Sequence, residues 1–392
     1  MRLNPKDWCI DRSNRSYHLS PSYPPEIILP RQALEPFHLR LASFRTRGRF
    51  PALVWKNPHG PQMIMRSAQP LCGLLGARSP EDEWLIGRLT AASSSASSSS
   101  TSTRVWILDA RSYAAAMANA AAGGGYEKGD AYKGTRLEFL SLANVHSIAS
   151  SHSSLLRAVS ASSSSTPRWY SILEQTGWLG HVAQVLAAAG GEGLGPVVEQ
   201  IVKHGASVLV HCTDGWDRTA QLVSLAQIML DPYYRTIEGF QTLIEKDWLA
   251  FGHPFAARAG YPFRPHYGGK GRASDLYHPY PHPPHYPLLP NSGSGEPTTL
   301  AAPSPIFLLF LTCVYHLQRQ HPTAFEFGEP LLLCLAWASG GWGGFGDFLC
   351  DNERQRESMG LRQRTRSLWG WVSEHRAWFV NTVYKRPIRM NR

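Results

Sequence analysis

Apolar residues in this chain fall into short runs separated by polar, glycine-rich or proline-rich stretches. Arg104 to Leu108, Arg136 to Leu142 and Ser207 to His211 are β-branched and apolar runs of strand length. Apolar positions recur at helical spacing over Trp178 to Ala189, Thr219 to Leu230, Ile237 to Phe251 and Ile306 to Gln318. Strands alternating with helices predict an α/β fold whose parallel or mixed sheet is covered on both faces. The longest apolar runs, Ile306 to Leu311 and Leu331 to Ala338, fall far short of the roughly 20 residues needed to cross a bilayer. Met1 to Asp11 has no apolar core of a secretory signal.

Three tracts break the pattern. Residues 91–103 and 149–166 are serine-rich, with too little apolar surface to offset the entropy of ordering. Residues 262–305 form a Pro, His, Tyr, Gly and Ser tract that reads as a long connection. Strand and helix signals continue on both sides of each, so the expectation is one domain over 1–392 with low-complexity loop insertions. Apolar residues at 43% and charged residues at 17% exclude a disordered, collagenous or coiled-coil chain. Six cysteines without C-x-x-C spacing favour neither a disulfide framework nor zinc, and predict a reducing, cytoplasmic setting. His278, His282 and His285 sit among Pro and Tyr without ligand spacing, so no metal is expected.

The chemistry concentrates in Val208 to Ala220, where an apolar strand runs into Cys212, Gly215 follows three residues on, and Arg218 opens a helical pattern. A loop of this length can curl its N–H groups inward into an anion nest, with a helix N-terminus beneath it. Cys212 in that field is expected as thiolate, the nucleophilic form. Arg218 can fork onto two phosphoryl oxygens, Gly215 allows the positive φ of the curl, and Thr219 can donate its hydroxyl to the sulfur. Asp214 or Asp217 can protonate a departing alkoxide and then activate water, with Asp217 favoured because it adjoins Arg218. Two carboxylates in a phosphate nest repel a dianion unless one is protonated or directed at the leaving group. Singly, Cys212 would read as a core cysteine and Arg218 as a surface residue; the spacing between strand and helix argues against both readings.

Residues 212–221, Cys-Thr-Asp-Gly-Trp-Asp-Arg-Thr-Ala-Gln, closely resemble the active-site signature of the myotubularins, which usually has Ser at the position of Thr213. Further landmarks follow in family order: Leu3 to Trp8, Phe44 to Pro51, Asp109 to Arg111, Gly123 to Glu127, Asp247 to His253 and Pro322 to Phe327. The resemblance implies a protein tyrosine phosphatase-like fold, a central, mostly parallel twisted sheet flanked by helices. It implies a cofactor-independent, cysteine-based phosphatase that removes the 3-phosphate from phosphatidylinositol 3-phosphate and the 3,5-bisphosphate. Cys212, Asp217 and Arg218 then carry the chemistry. Substrate contacts fall on Asn119, Asn144, Val145, Thr213, Asp214, Gly215, Trp216, Asp217, Arg218 and Arg258.

Where the family commonly has a basic residue after Phe-Gly-His, this chain has Pro254, which implies weaker recognition of a 5-phosphate and a preference for the monophosphate. No PH-GRAM, FYVE or coiled-coil region is evident. A phosphoprotein phosphatase and a non-catalytic phosphoinositide-binding adaptor are the alternatives. The net charge of +10 is concentrated at the C-terminal end, where residues 353–392 hold ten Lys and Arg against three Glu. That region, with Arg354, Arg356, Arg362, Arg364 and Arg366, fits a solvated helix face or one facing an anionic membrane better than nucleic acid, for which no recognised module accompanies it. The expected setting is peripheral, on endosomal or other intracellular membranes, with homo- or hetero-oligomers of related phosphatases as further partners.

Overall fold

The computed structural model describes residues 3–33, 37–92, 105–161, 168–191, 196–260 and 303–386. An antiparallel pair, β1 (Trp8–Asp11) and β2 (Ile27–Pro30), precedes helix α1 (Phe37–Phe44). The hairpin β3 (Ala52–Lys56) and β4 (Met63–Ala68) follows, then α2 (Pro80–Ala92), β5 (Val105–Asp109), α3 (Tyr113–Ala121) and β6 (Thr135–Phe139). Helices α4 (Val145–Ala161), α5 (Trp169–Gln175), α6 (Trp178–Gly190) and α7 (Val197–Val202) lead to β7 (Ser207–Cys212) and α8 (Arg218–Leu230). Helix α9 (Ile237–Leu243) widens into a π-helical stretch, Ile244–Ala250, before α10 (Phe255–Arg258). The C-terminal part is helical: α11 (Ile306–Gln320), α12 (Glu329–Ser339), α13 (Glu353–Ser358), α14 (Leu361–Arg364) and α15 (Leu368–Glu374).

The main sheet has the order β3-β4-β7-β5-β6, parallel except for the β3–β4 hairpin. Strand β7 lies at its centre, entirely buried, and its alternating side chains divide between the two faces. Val208, Val210 and Cys212 face the large core built on α6, α8 and α11, whereas Leu209 faces a smaller core with Leu53, Met65, Val105 and Ile107. Helix α8 is apolar or small on most sides and runs through the large core, which is why ten of its residues are buried. The strand register sets Ala68 of β4 beside Cys212, and Asp109 of β5 beside His211. Three strand C-termini therefore converge where β7 turns into α8, the edge at which open α/β sheets hold ligands.

The predicted strands and helices are present with ends shifted by one to three residues. One tract differs. Residues 149–161, expected within a serine-rich insertion, continue α4. Ile148, Ser151 and Ala158 are buried and Leu155 packs on the core, a stripe at helical spacing that the serines between them conceal. Residues 93–104, 162–167 and 261–302, the rest of the three low-complexity tracts, lie outside the described residues save Pro303 to Pro305. So do His278, His282 and His285.

The C-terminal basic region is also less free than its count suggests. Arg356 is buried and paired with Glu245 and Glu353, Arg362 reaches the same Glu353, and Arg376 pairs with Glu326. The arginines of this stretch are therefore partly internal fasteners of folded helices.

Candidate active site

The Cys212 Sγ lies at the end of β7 and accepts the N–H of Gly215 at 3.3 Å, so the loop curls back over its first residue. Gly215 makes the curl possible: its φ is +74°, and a Cβ there would sit 2.2 Å from the Ser67 carbonyl oxygen. Two arginines fix it from behind. The Gly215 carbonyl accepts from Arg49 at 3.0 Å and from Arg66 at 2.8 Å. Arg49 also holds the Ser22 and Phe251 carbonyls, and Arg66 the Asp247 backbone and carboxylate. Burial lowers the Arg49 pKa to about 10, still charged at neutral pH, so it places positive charge beneath the nest.

Gly215→Ala adds both the positive-φ penalty and a collision with backbone. The expected result is a loss of about 100-fold in kcat/KM, the scale of a 1 Å misplacement of reacting groups. Phosphate release measured beside the melting curve separates loop displacement from unfolding.

The two loop carboxylates are both engaged, which removes the electrostatic objection to a dianion. Asp214 accepts from Arg47 Nε at 3.1 Å, and the Arg47 guanidinium lies 4.8 Å over the Trp216 ring. Arg47 itself adopts φ +58° to reach it. Asp217 is buried and held by Arg258, with Nε at 3.0 Å from Oδ1 and an Nη at 2.5 Å from Oδ2. His253 Nδ1 stands 3.3 Å from the same carboxylate and 3.0 Å from the Trp216 carbonyl. Burial alone would raise the Asp217 carboxyl, but Arg258 and His253 more than offset it and hold it well below the usual carboxylate range. Asp217 is thus ionised in the resting site.

The remaining sequence candidates distribute unevenly. Arg218 opens α8, donates to the Leu142 carbonyl at 3.3 Å, and keeps a buried Nε with no protein partner. The indole N–H of Trp216 is likewise buried and unpaired. Asn119, near the end of α3, donates to the Thr213 hydroxyl at 3.2 Å, so it borders the loop. Asn144 and Val145 lie at the start of α4, next to the Leu142 carbonyl that Arg218 holds. The Asn144 Oδ1 is occupied with the N–H groups of His146 and Ser147, a helix cap. Thr219 differs from expectation: its buried hydroxyl has no partner, and the sulfur takes the Gly215 N–H instead.

Sequence reasoning missed the layer behind the nucleophile. His211 points to the opposite face of β7 from Cys212, where its Nε2 meets Glu127 at 2.9 Å. Glu127 also binds Arg45 at 2.6 Å, and Arg45 pairs in turn with Asp82, to which Tyr132 donates at 2.9 Å. Arg45, Asp82, Glu127 and His211 are almost completely buried. Burial alone would strip the His211 proton; Glu127 and Asp109 overcome that and raise its pKa. Only the signature-like runs holding Arg45 and Glu127 signalled these residues, without saying that they meet.

Residues 1–357 match the myotubularin-like phosphatase domain family. Myotubularin of Xenopus laevis is 37% identical over 381 residues, 97% of this chain and 56% of that protein. The phosphatidylinositol-3,5-bisphosphate 3-phosphatase MTMR2 of Mus musculus is 38% identical over 396 residues, covering 97% of this chain and 52% of its own length. The human phosphatidylinositol-3,5-bisphosphate 3-phosphatase MTMR6 is 36% identical over 377 residues, 96% of this chain and 53% of that protein. The chain spans about half the length of these relatives. A central, mostly parallel sheet, a cysteine loop closing onto a helix and a match over nine-tenths of the sequence agree: the chain belongs to the myotubularin-like phosphatase family.

Proposed function

We propose that this chain hydrolyses the 3-phosphate of phosphatidylinositol 3-phosphate and phosphatidylinositol 3,5-bisphosphate. The observation that carries the reading is the curled loop from Cys212 to Arg218, with the sulfur under the Gly215 N–H and a guanidinium at the helix start. Cys212 attacks phosphorus, Arg218 and the loop amides hold the charge spread over the phosphoryl oxygens, and Asp217 protonates the inositol oxygen. Water then cleaves the cysteinyl phosphate with Asp217 as base. Thr213 within the loop, Asn119 beside it, and Asn144 and Val145 close in sequence to the Leu142 carbonyl that Arg218 holds are assigned to the inositol ring, with Arg258 assigned to a phosphate away from the scissile one. Among the described residues no helix is long and apolar enough to cross a membrane. Membrane access is therefore assigned to peripheral attraction between anionic lipid and the exposed Arg354, Arg364, Arg366, Lys385 and Arg386.

The test is phosphate release from dioctanoyl phosphatidylinositol 3-phosphate, the 3,5-bisphosphate and a phosphotyrosine peptide. Turnover of the lipids with at most a trace on the peptide is expected. Release from the peptide alone would instead make this a phosphoprotein phosphatase, and binding of lipid without release an adaptor.

A further inference from the structure

The residue that must supply a proton is ionised, and what keeps it so is a residue that would meet the substrate. Arg258 grips both oxygens of Asp217, and both side chains are only 8% exposed, so little water competes for either. Among the described residues, charged groups that act on the pair are His253 against Asp217, with Asp214 and Asp351 acting on Arg258. Asp351 accepts the Ala257 N–H at 2.9 Å, which ties α10 in place one residue from Arg258. Pro254 begins that helix and accepts the Arg258 N–H, leaving Arg258 as its single cation.

We propose that Arg258 is a latch on Asp217 that the bisphosphate releases: a phosphate elsewhere on the inositol ring takes the guanidinium, and the freed carboxylate picks up the proton it needs. The idea rests on the phosphoinositide reading above. A guanidinium released from one carboxylate can form the same two-point contact with a phosphate dianion, so the exchange conserves its hydrogen bonds. Asp217 loses its cation and gains a neighbouring anion, and both changes favour the protonated acid. The steps balance. The Cys212 S–P bond forms as the P–O bond breaks, the Asp217 proton goes to the inositol oxygen, and Asp217 leaves as carboxylate. Water later adds to phosphorus as the S–P bond breaks, which releases inorganic phosphate and the Cys212 thiolate while the water's proton passes to Asp217.

With the monophosphate no group exchanges with Asp217, so the acid is protonated in only a small fraction of enzyme at neutral pH. The absent charge at Pro254 concerns affinity and appears in KM; the latch concerns turnover and appears in kcat and its pH dependence.

The experiment is the pH profile of kcat for the wild-type chain on the two dioctanoyl lipids, with Arg258→Met and Arg258→Lys beside it. The alkaline fall should lie at least about one pH unit higher on the bisphosphate, a roughly tenfold difference in rate on that limb. Arg258→Met should move the monophosphate limb upward and erase the gap between lipids, and Arg258→Lys should restore part of it. A merely structural role for Arg258 would lower rates without moving either limb. Superimposed limbs in the wild type overturn the latch while leaving the phosphatase intact. No release from either lipid overturns the phosphatase reading itself, a distinguishable failure.

Discussion

Cys212→Ser is expected to abolish phosphate release from both lipids, a loss of at least about 10⁴-fold of the kind seen when a covalent nucleophile is removed. The substitution exchanges sulfur for oxygen at a buried side chain that, among the described residues, accepts the Gly215 N–H. An alcohol is a far weaker nucleophile at neutral pH than a thiol able to ionise. The nest itself depends on Gly215, Arg49 and Arg66, none of which touches the sulfur through its side chain, so the loop should persist. Lipid binding by the serine variant should therefore survive while turnover does not. Measured release at more than a hundredth of the wild-type rate would end the cysteinyl-phosphate mechanism, whereas lost binding would show that the sulfur shapes the nest.

This division between nucleophile and scaffold explains what could be read along the chain. The loop was legible because its parts are contiguous: a strand, a cysteine, a glycine and an arginine within eleven residues. Its supports were not, because local spacing carries no record of which distant charges meet. Arg47 and Asp214 are 167 residues apart, and Arg49 and Gly215 are 166 apart. The hairpin β3–β4 was obscured for a related reason. It carries a register shift between Leu53 and Trp55, and Arg66 sits fully buried in the middle of β4, followed by Ser67. A charged residue there reads as solvent-facing until Asp247 and the Gly215 carbonyl are placed against it. The serines of α4 hid a helix in the same way, since composition outweighed spacing.

Glu127→Ala should be the most destabilising change outside the loop, by about 3–5 kcal/mol, because it removes the anion shared by two buried cations. Arg45 would keep Asp82, but its other terminal nitrogen would be left with the Ala68 carbonyl and the distant Ser67 hydroxyl. His211 would lose the carboxylate that sustains its proton, and burial would then favour the neutral ring. Against a typical total of about 5–15 kcal/mol, this shift is visible in the urea midpoint. Glu127→Gln keeps the shape and one hydrogen bond to each partner, so it should cost clearly less. The pH dependence has a definite sign. The folded-state pKa of Glu127 is depressed, so its contribution is present above the ordinary carboxylate value of about 4 and is lost as pH falls below it. Wild-type stability should therefore begin to decline as pH falls below about 4, whereas that of Glu127→Gln should begin to decline already below about 6.5, because its neutral buried His211 gains a proton only on unfolding. Because His211 adjoins Cys212 in β7, the same variants report on activity. If the network only stabilises the fold, kcat of Glu127→Gln will equal that of the wild type at temperatures where both are folded. A drop in kcat without a change in KM would show that the buried charges also set the position of the nucleophile.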